Sequence, residues 1–176
     1  MDHIDEFESL FKRAQREQYQ YMDVEIKSVT FINDTDREEA LSIQRSIEKC
    51  FPCFDEGQVW HHLCADDYSN VDEMLEALQR AQTDMVITYR HLNEQSIIPQ
   101  HSLGVYLDVL TQVSTVPVMV LPGTSLNPVS LDNRKCAHVM VVADHILGDA
   151  NLINYGVSML RDQGELWMCH VEDDVV

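Results

Sequence analysis

Basic residues are scarce in this chain: 12 Lys and Arg stand against 30 Asp and Glu, a formal net charge of −18 over 176 residues. Such a surface repels nucleic acid and anionic membrane, and neither is expected as a partner. Glycine is scarce too, with 6 in the chain. No G-x-G-x-x-G, G-x-x-x-x-G-K-[ST] or G-x-S-x-G is present, which removes the common dinucleotide, P-loop and hydrolase signatures. No apolar run approaches the roughly 20 residues of a membrane span. The first residues, MDHIDEFESL, lack the basic and apolar regions of a secretory leader, so a cytoplasmic protein is expected. The 5 cysteines are odd in number and are read as free thiols rather than a disulfide framework. What is present is a core: 45% of residues are hydrophobic, enough for one ordinary domain and part of another.

Residues 2–22 read as an amphipathic helix. Ile4, Phe7, Phe11 and Ala14 recur at helical spacing, acidic residues come early and Lys12, Arg13 and Arg16 later, the order the helix dipole favours. Lys27–Asn33 reads as a first strand ending at Asp34. Thr35 or Asp36 can cap the next helix, whose apolar face is Ala40, Leu41, Ile43, Ile47 and Cys50. That helix ends in Cys50-Phe51-Pro52-Cys53. A redox pair of this spacing belongs at a helix N-terminus, where the dipole lowers a thiol pKa, and this one sits at a C-terminus. A zinc site would need His61, His62 or Cys64 as further ligands; a plain structural role is the preferred reading. Gln58–Cys64 reads as a second strand, on which the adjacent His61 and His62 face opposite ways. Val71, Met74, Leu75 and Leu78 then mark a helix with Asp72, Glu73 and Glu76 turned outward.

The stretch from Asp84 to Gly123 organises the rest. Met85–Tyr89 and Val116–Leu121 are short, continuous apolar runs, as buried parallel strands require. Between them lie a polar loop and a helix carrying Leu103, Leu107 and Leu110. One βαβ unit results, with its loop at the carboxyl end of a strand, where doubly wound sheets bind ligands.

The strand–helix–strand pattern, with S-L-G-V opening the helix and V-P-V-M-V-L closing the unit, resembles the C-terminal part of a universal stress protein domain. The resemblance implies a doubly wound parallel α/β sheet of the adenine nucleotide alpha hydrolase-like type. It also implies a strand–helix unit missing between the second strand and its following helix, hence a narrower sheet. Nucleotide-binding members carry G-x-x-G, nine residues, then G-[ST] in this loop. Counted back from Gly104, those places hold His91 and Glu94, and Val105 stands where the hydroxyl belongs. Asp34 matches the Asp that meets the nucleoside, although an Asn-Asp-Thr-Asp run also serves simply to cap a helix. His91, Glu94 and His101 can alternatively be read as an acid–base or metal cluster, or as plain solvated loop residues.

PGTSLNPVSLDNRK after Leu121 reads as a linker. Beyond it, Val139–Asp144 matches Val29–Asp34, and Gly164-Glu-Leu-Trp167 matches Gly57-Gln-Val-Trp60. Each Trp precedes an acidic pair, Asp66-Asp67 or Asp173-Asp174, which signals the start of a second copy. The expected organisation is an N-terminal helix (1–24), a stress-protein-like domain (25–122), a linker (123–135) and an incomplete second copy (136–176). The expected function is a non-catalytic regulatory or binding module acting through homo-oligomer or protein contacts. Expected too are no metal, no resident cofactor and weak or lost ATP binding. The alternatives are a genuine ATP- or AMP-binding protein with slow hydrolysis at most, and a metal or redox protein built on Cys50 and Cys53.

Overall fold

The computed structural model describes residues 20–54, 57–93, 103–124, 127–128, 136–143 and 150–170. The chain divides after Val24 and after Lys135: Glu25–Lys135 forms one compact unit, and the described residues on either side of it form another. The helix expected over 2–22 falls almost wholly outside the described residues.

The central unit alternates strands and helices: β1 (Ser28–Ile32), α1 (Arg37–Cys50), β2 (Val59–Leu63), α2 (Val71–Ala81), β3 (Met85–Tyr89), α3 (Val105–Val113) and β4 (Val118–Leu121). The four strands of its main sheet are all parallel, in the order β2-β1-β3-β4. The strand after Asp84 therefore lies beside the one after Lys27. The crossover from β1 to β2 and the one from β2 to β3 run in opposite directions. Right-handed crossovers then set α1 and α2 on opposite faces. His62 on β2 reaches Gln44 on α1, Nε2 to Oε1 at 2.8 Å, which identifies the α1 face.

Val29, Phe31, Ile32, Ile87, Leu107 and Leu110 are fully enclosed, each contributing about 1.5–3 kcal/mol by leaving water. Every residue of β3 is buried, which explains why it reads as an unbroken apolar run rather than an alternating one. α1 starts at Asp36, whose Oδ1 accepts from Glu39 N–H at 2.9 Å. α2 starts at Asn70, whose Oδ1 accepts from Glu73 N–H at 2.9 Å. At its amino end, β1 is pinned by Asp84, whose Oδ2 accepts from Lys27 N–H at 2.9 Å and Ser28 N–H at 3.0 Å.

The structure departs from the sequence reading in four places. Leu41 leaves the apolar face of α1 and is 39% exposed. β4 begins at Val118 rather than Val116, because Pro117 has no N–H for the ladder, although its carbonyl still accepts from Val86. The segment read as a linker contains a small antiparallel pair, β5 (Gly123–Thr124) with β6 (Asn127–Pro128). The fourth departure concerns the repeat. β7 (His138–Ala143) and β8 (Glu165–His170) pair in parallel across α4 (Ala150–Ser158), a second βαβ unit. But Trp60 pairs with Val29, whereas Trp167 pairs with Met140 and it is Leu166 that pairs with Val139. Leu166, not Trp167, thus holds the place of Trp60.

The offset begins at the glycine. Gly164 is followed at once by the first ladder bond, Glu165 N–H to Ala137 O. After Gly57 one residue intervenes, Gln58, whose amide donates to Ile26 O and Cys53 O, and the first bond comes at Val59. A one-residue slip exchanges the two faces of a strand. Trp60 accordingly lies on the face covered by α1, stacked near His62. Trp167 stands 54% exposed beside Met140 and Val142, on the face opposite α4.

Candidate functional site: the crevice at the carboxyl ends of the strands

The chain leaves β1 for β2 on one side and returns to β3 on the other, so the topological switch point lies between β1 and β3. Their carboxyl ends are where such sheets form ligand crevices. Asp34 follows β1, and the turn Arg90–Asn93 follows β3. Asp34 Oδ2 accepts from Asn93 N–H at 2.9 Å, a bond that bridges the crevice. The helix-cap role belongs to Asp36, which leaves Asp34 free for this contact. The second oxygen of Asp34, Oδ1, is buried with no hydrogen-bond partner among the described residues.

The far end of the loop returns to the same place. His91 N–H donates to Leu103 O at 3.0 Å, and Gly104 precedes α3 with φ 92° and no side-chain cap. His91 and Asn93 both take φ 58°, a left-handed backbone that glycine adopts without the penalty a Cβ brings. Val105 opens α3 and is 62% exposed; its methyls offer no hydroxyl to a ligand. Asp34, His91, Gly104 and Val105 are thus brought to one end of the sheet. Glu94 and His101 lie outside the described residues, as do Asp144, Asp173 and Asp174.

Beneath the bridge lies Tyr68, which the sequence reading passed over. It is 4% exposed, its hydroxyl donates to Asn33 O at 3.1 Å and its ring packs against Tyr106. Burial, opposed by a hydrogen bond from the Asn93 side chain and reinforced by the nearby Asp34 charge, holds its pKa well above the usual tyrosine value. Asn33 is itself fully buried, with Oδ1 accepting from the amide and hydroxyl of Thr35 at 3.0 and 2.7 Å. A signal for Tyr68 was present: one aromatic inside the polar run Asp66-Asp67-Tyr68-Ser69-Asn70, where a ring has little reason to be unless it is anchored inward.

Burial governs the titratable groups around α1 and β2. Cys50 closes α1 and is buried; burial pushes its thiol pKa up, away from the thiolate a redox pair needs. Cys64 is raised chiefly for the same reason. Burial foremost, then the nearby Arg37 and His61, lowers His62, so it stays neutral. Among the described residues, no group of three or more His, Cys, Asp or Glu side chains is placed to hold a metal ion. No described helix is long and apolar enough to cross a membrane.

The fold defines an α/β protein with a parallel, Rossmann-like sheet whose switch point lies between β1 and β3. No family model, curated protein or solved structure matches the chain.

Proposed function

We propose that residues 25–122 form a non-catalytic regulatory and binding module of the universal stress protein type, with its nucleotide crevice closed from within. One observation carries this reading: Asp34, at the position that meets a nucleoside in that family, is bonded instead to Asn93 across the crevice, over a buried Tyr68. The left-handed backbone at His91 supports the resemblance, because it falls where the family has a glycine. The residues present do not fit a triphosphate. Its charge of about −4 needs several aimed N–H donors or a cation. Glu94 adds a further negative charge, Val105 has no hydroxyl, and Gly104 alone permits one close backbone approach. The module then acts through protein contacts, either with copies of itself or with a partner. The unit at 136–176 is the start of a second such copy in this reading, on the strength of its parallel βαβ build rather than its Trp.

A calorimetric titration with ATP tests the proposal. The expected result is no binding at millimolar ATP or better, and no nucleotide released on denaturing the purified protein. The combined variant His91→Gly, Glu94→Gly, Val105→Ser should gain affinity. Micromolar ATP binding by the unaltered chain would overturn the proposal in favour of a genuine ATP- or AMP-binding protein. The unpartnered, buried Oδ1 of Asp34 favours that second reading, since a ribose hydroxyl would satisfy it.

A further inference from the structure

β2 is the outer strand of the parallel sheet, and His62 ties it to α1 through a chain of side chains. Glu48 Oε1 accepts from the Gln44 amide at 2.7 Å, and Gln44 Oε1 meets His62 Nε2 at 2.8 Å. An ionised carboxylate can only accept, so Gln44 turns its N–H groups toward Glu48 and its oxygen toward His62. His62 Nε2 must then carry the ring proton, and Nδ1 holds the bare lone pair. Nδ1 is buried with no hydrogen-bond partner among the described residues. Aromatic rings flank the imidazole. Trp60 stacks on it at 6.4 Å with 20° between the planes, and Phe31 of β1 meets it edge-on at 6.2 Å.

A second proton would have to go to Nδ1, where no acceptor waits. The stacked Trp60 carries only a donor N–H, and Phe31 has no polar side-chain atom. Two effects favour an imidazolium here: the indole face, by a cation–π contact, and the Glu48 charge. Against them stand burial, the largest effect, then the positive Arg37 of α1 and the neighbouring His61 of β2. Tyr89 of β3, in contact with Phe31, is neutral throughout the acid range. Burial wins, so the enclosed ring resists a proton that a released histidine takes up at 6.5. We infer that His62 is an acid-operated clasp: on taking a proton the ring leaves its buried place, and α1 parts from β2 while the inner strands stay folded. β2 has a ladder on one side only, whereas β3 is flanked by β1 and β4 and is wholly buried. Opening therefore starts at the β2 edge, where the fewest contacts must break. The sign follows from the lowered folded value: the clasp is complete above 6.5 and weakens as pH falls below it. The inference is independent of the nucleotide reading.

The test is amide hydrogen exchange on the full chain, corrected for the intrinsic effect of pH, with the His62 ring titrated by NMR. Between about pH 7 and about pH 5, opening at α1 and β2 should rise severalfold. The ceiling is about thirtyfold, set by a released histidine that titrates at 6.5. Amides of β3 should keep their protection. His62→Phe retains a ring and should abolish the acid response, and His61→Phe should keep most of it. Glu48→Gln removes the charge that favours the imidazolium, leaves Gln44 an acceptor, and should enlarge the response. A His62 ring midpoint at or above 6.5 would overturn the inference. So would unchanged exchange, an equal acid response in His62→Phe, or a rise at β3 as large as at β2, the mark of global acid unfolding. Should His62→Phe fail to fold, Glu48→Gln and the ring midpoint decide. None of these measurements involves ATP, so this inference and the nucleotide reading fail separately.

Discussion

Replacing Tyr68 by Phe removes one oxygen and leaves the ring where it packs against Tyr106. The hydroxyl donates to Asn33 O at 3.1 Å and accepts from the Asn93 side chain. Asn93 is exposed and can turn to water, but Asn33 is fully buried, so its carbonyl loses a partner that water cannot replace. The cost of such an orphaned acceptor is about 1–3 kcal/mol. For a unit of this size, each kcal/mol lowers Tm by about 4 °C or somewhat more. Urea unfolding of the full chain, read by Trp60 fluorescence in a Trp167→Phe background, should show a lower midpoint with an unchanged slope.

A second readout separates a buried hydroxyl from a solvated one. Because the folded pKa of Tyr68 is raised, the unfolded tyrosine ionises first and unfolding releases a proton. The contribution is complete below the ordinary tyrosine value of 10.0 and is lost as pH rises beyond it. Tyr89, pushed up to about 12 mainly by burial, adds the same sense of pH dependence in both proteins. Tyr68→Phe should therefore lose less stability than the wild type between pH 10 and 12, while starting lower at neutral pH. A variant that matches the wild type in midpoint and in alkaline behaviour would refute the argument that Tyr68 floors the crevice.

Two further perturbations test how the units are built. Asp84→Ala deletes the acceptor for Lys27 and Ser28 N–H; Asp84 is exposed, so the loss is about 1 kcal/mol, and hydrogen exchange should rise first at the amino end of β1. Gly156→Ala places a Cβ at 2.6 Å from Val141 Cγ2 and 3.4 Å from Leu166 Cδ1. A stiff β-branched neighbour cannot yield cheaply, and about 1–3 kcal/mol should be lost from the β7–α4–β8 unit, seen as faster hydrogen exchange at the β7 and β8 amides.

The sequence by itself determined the local elements and their pairing class. β3 was legible to the residue because all five of its side chains are buried, and α2 because Met74 faces inward while Asp72, Glu73 and Glu76 face water. These are consequences of the period-2 and period-3.6 geometry of the backbone, which any window of ten residues displays. Parallel order followed, since continuous apolar strands joined by helices have few other ways to hide both faces. Asp34, His91, Glu94, Gly104 and Val105 were singled out through a resemblance to a family loop rather than through periodicity. The tertiary structure alone decided what those residues do. Asp34 spends an oxygen on Asn93, 59 positions away, and Tyr68 reaches Asn33 across 35. The Trp match failed on register: the two glycine–Trp strings are alike, but the ladder begins at Val59, two residues after Gly57, and at Glu165, one residue after Gly164. Hydrogen bonds between distant positions leave no periodic trace in a chain, whereas burial against a neighbouring layer does.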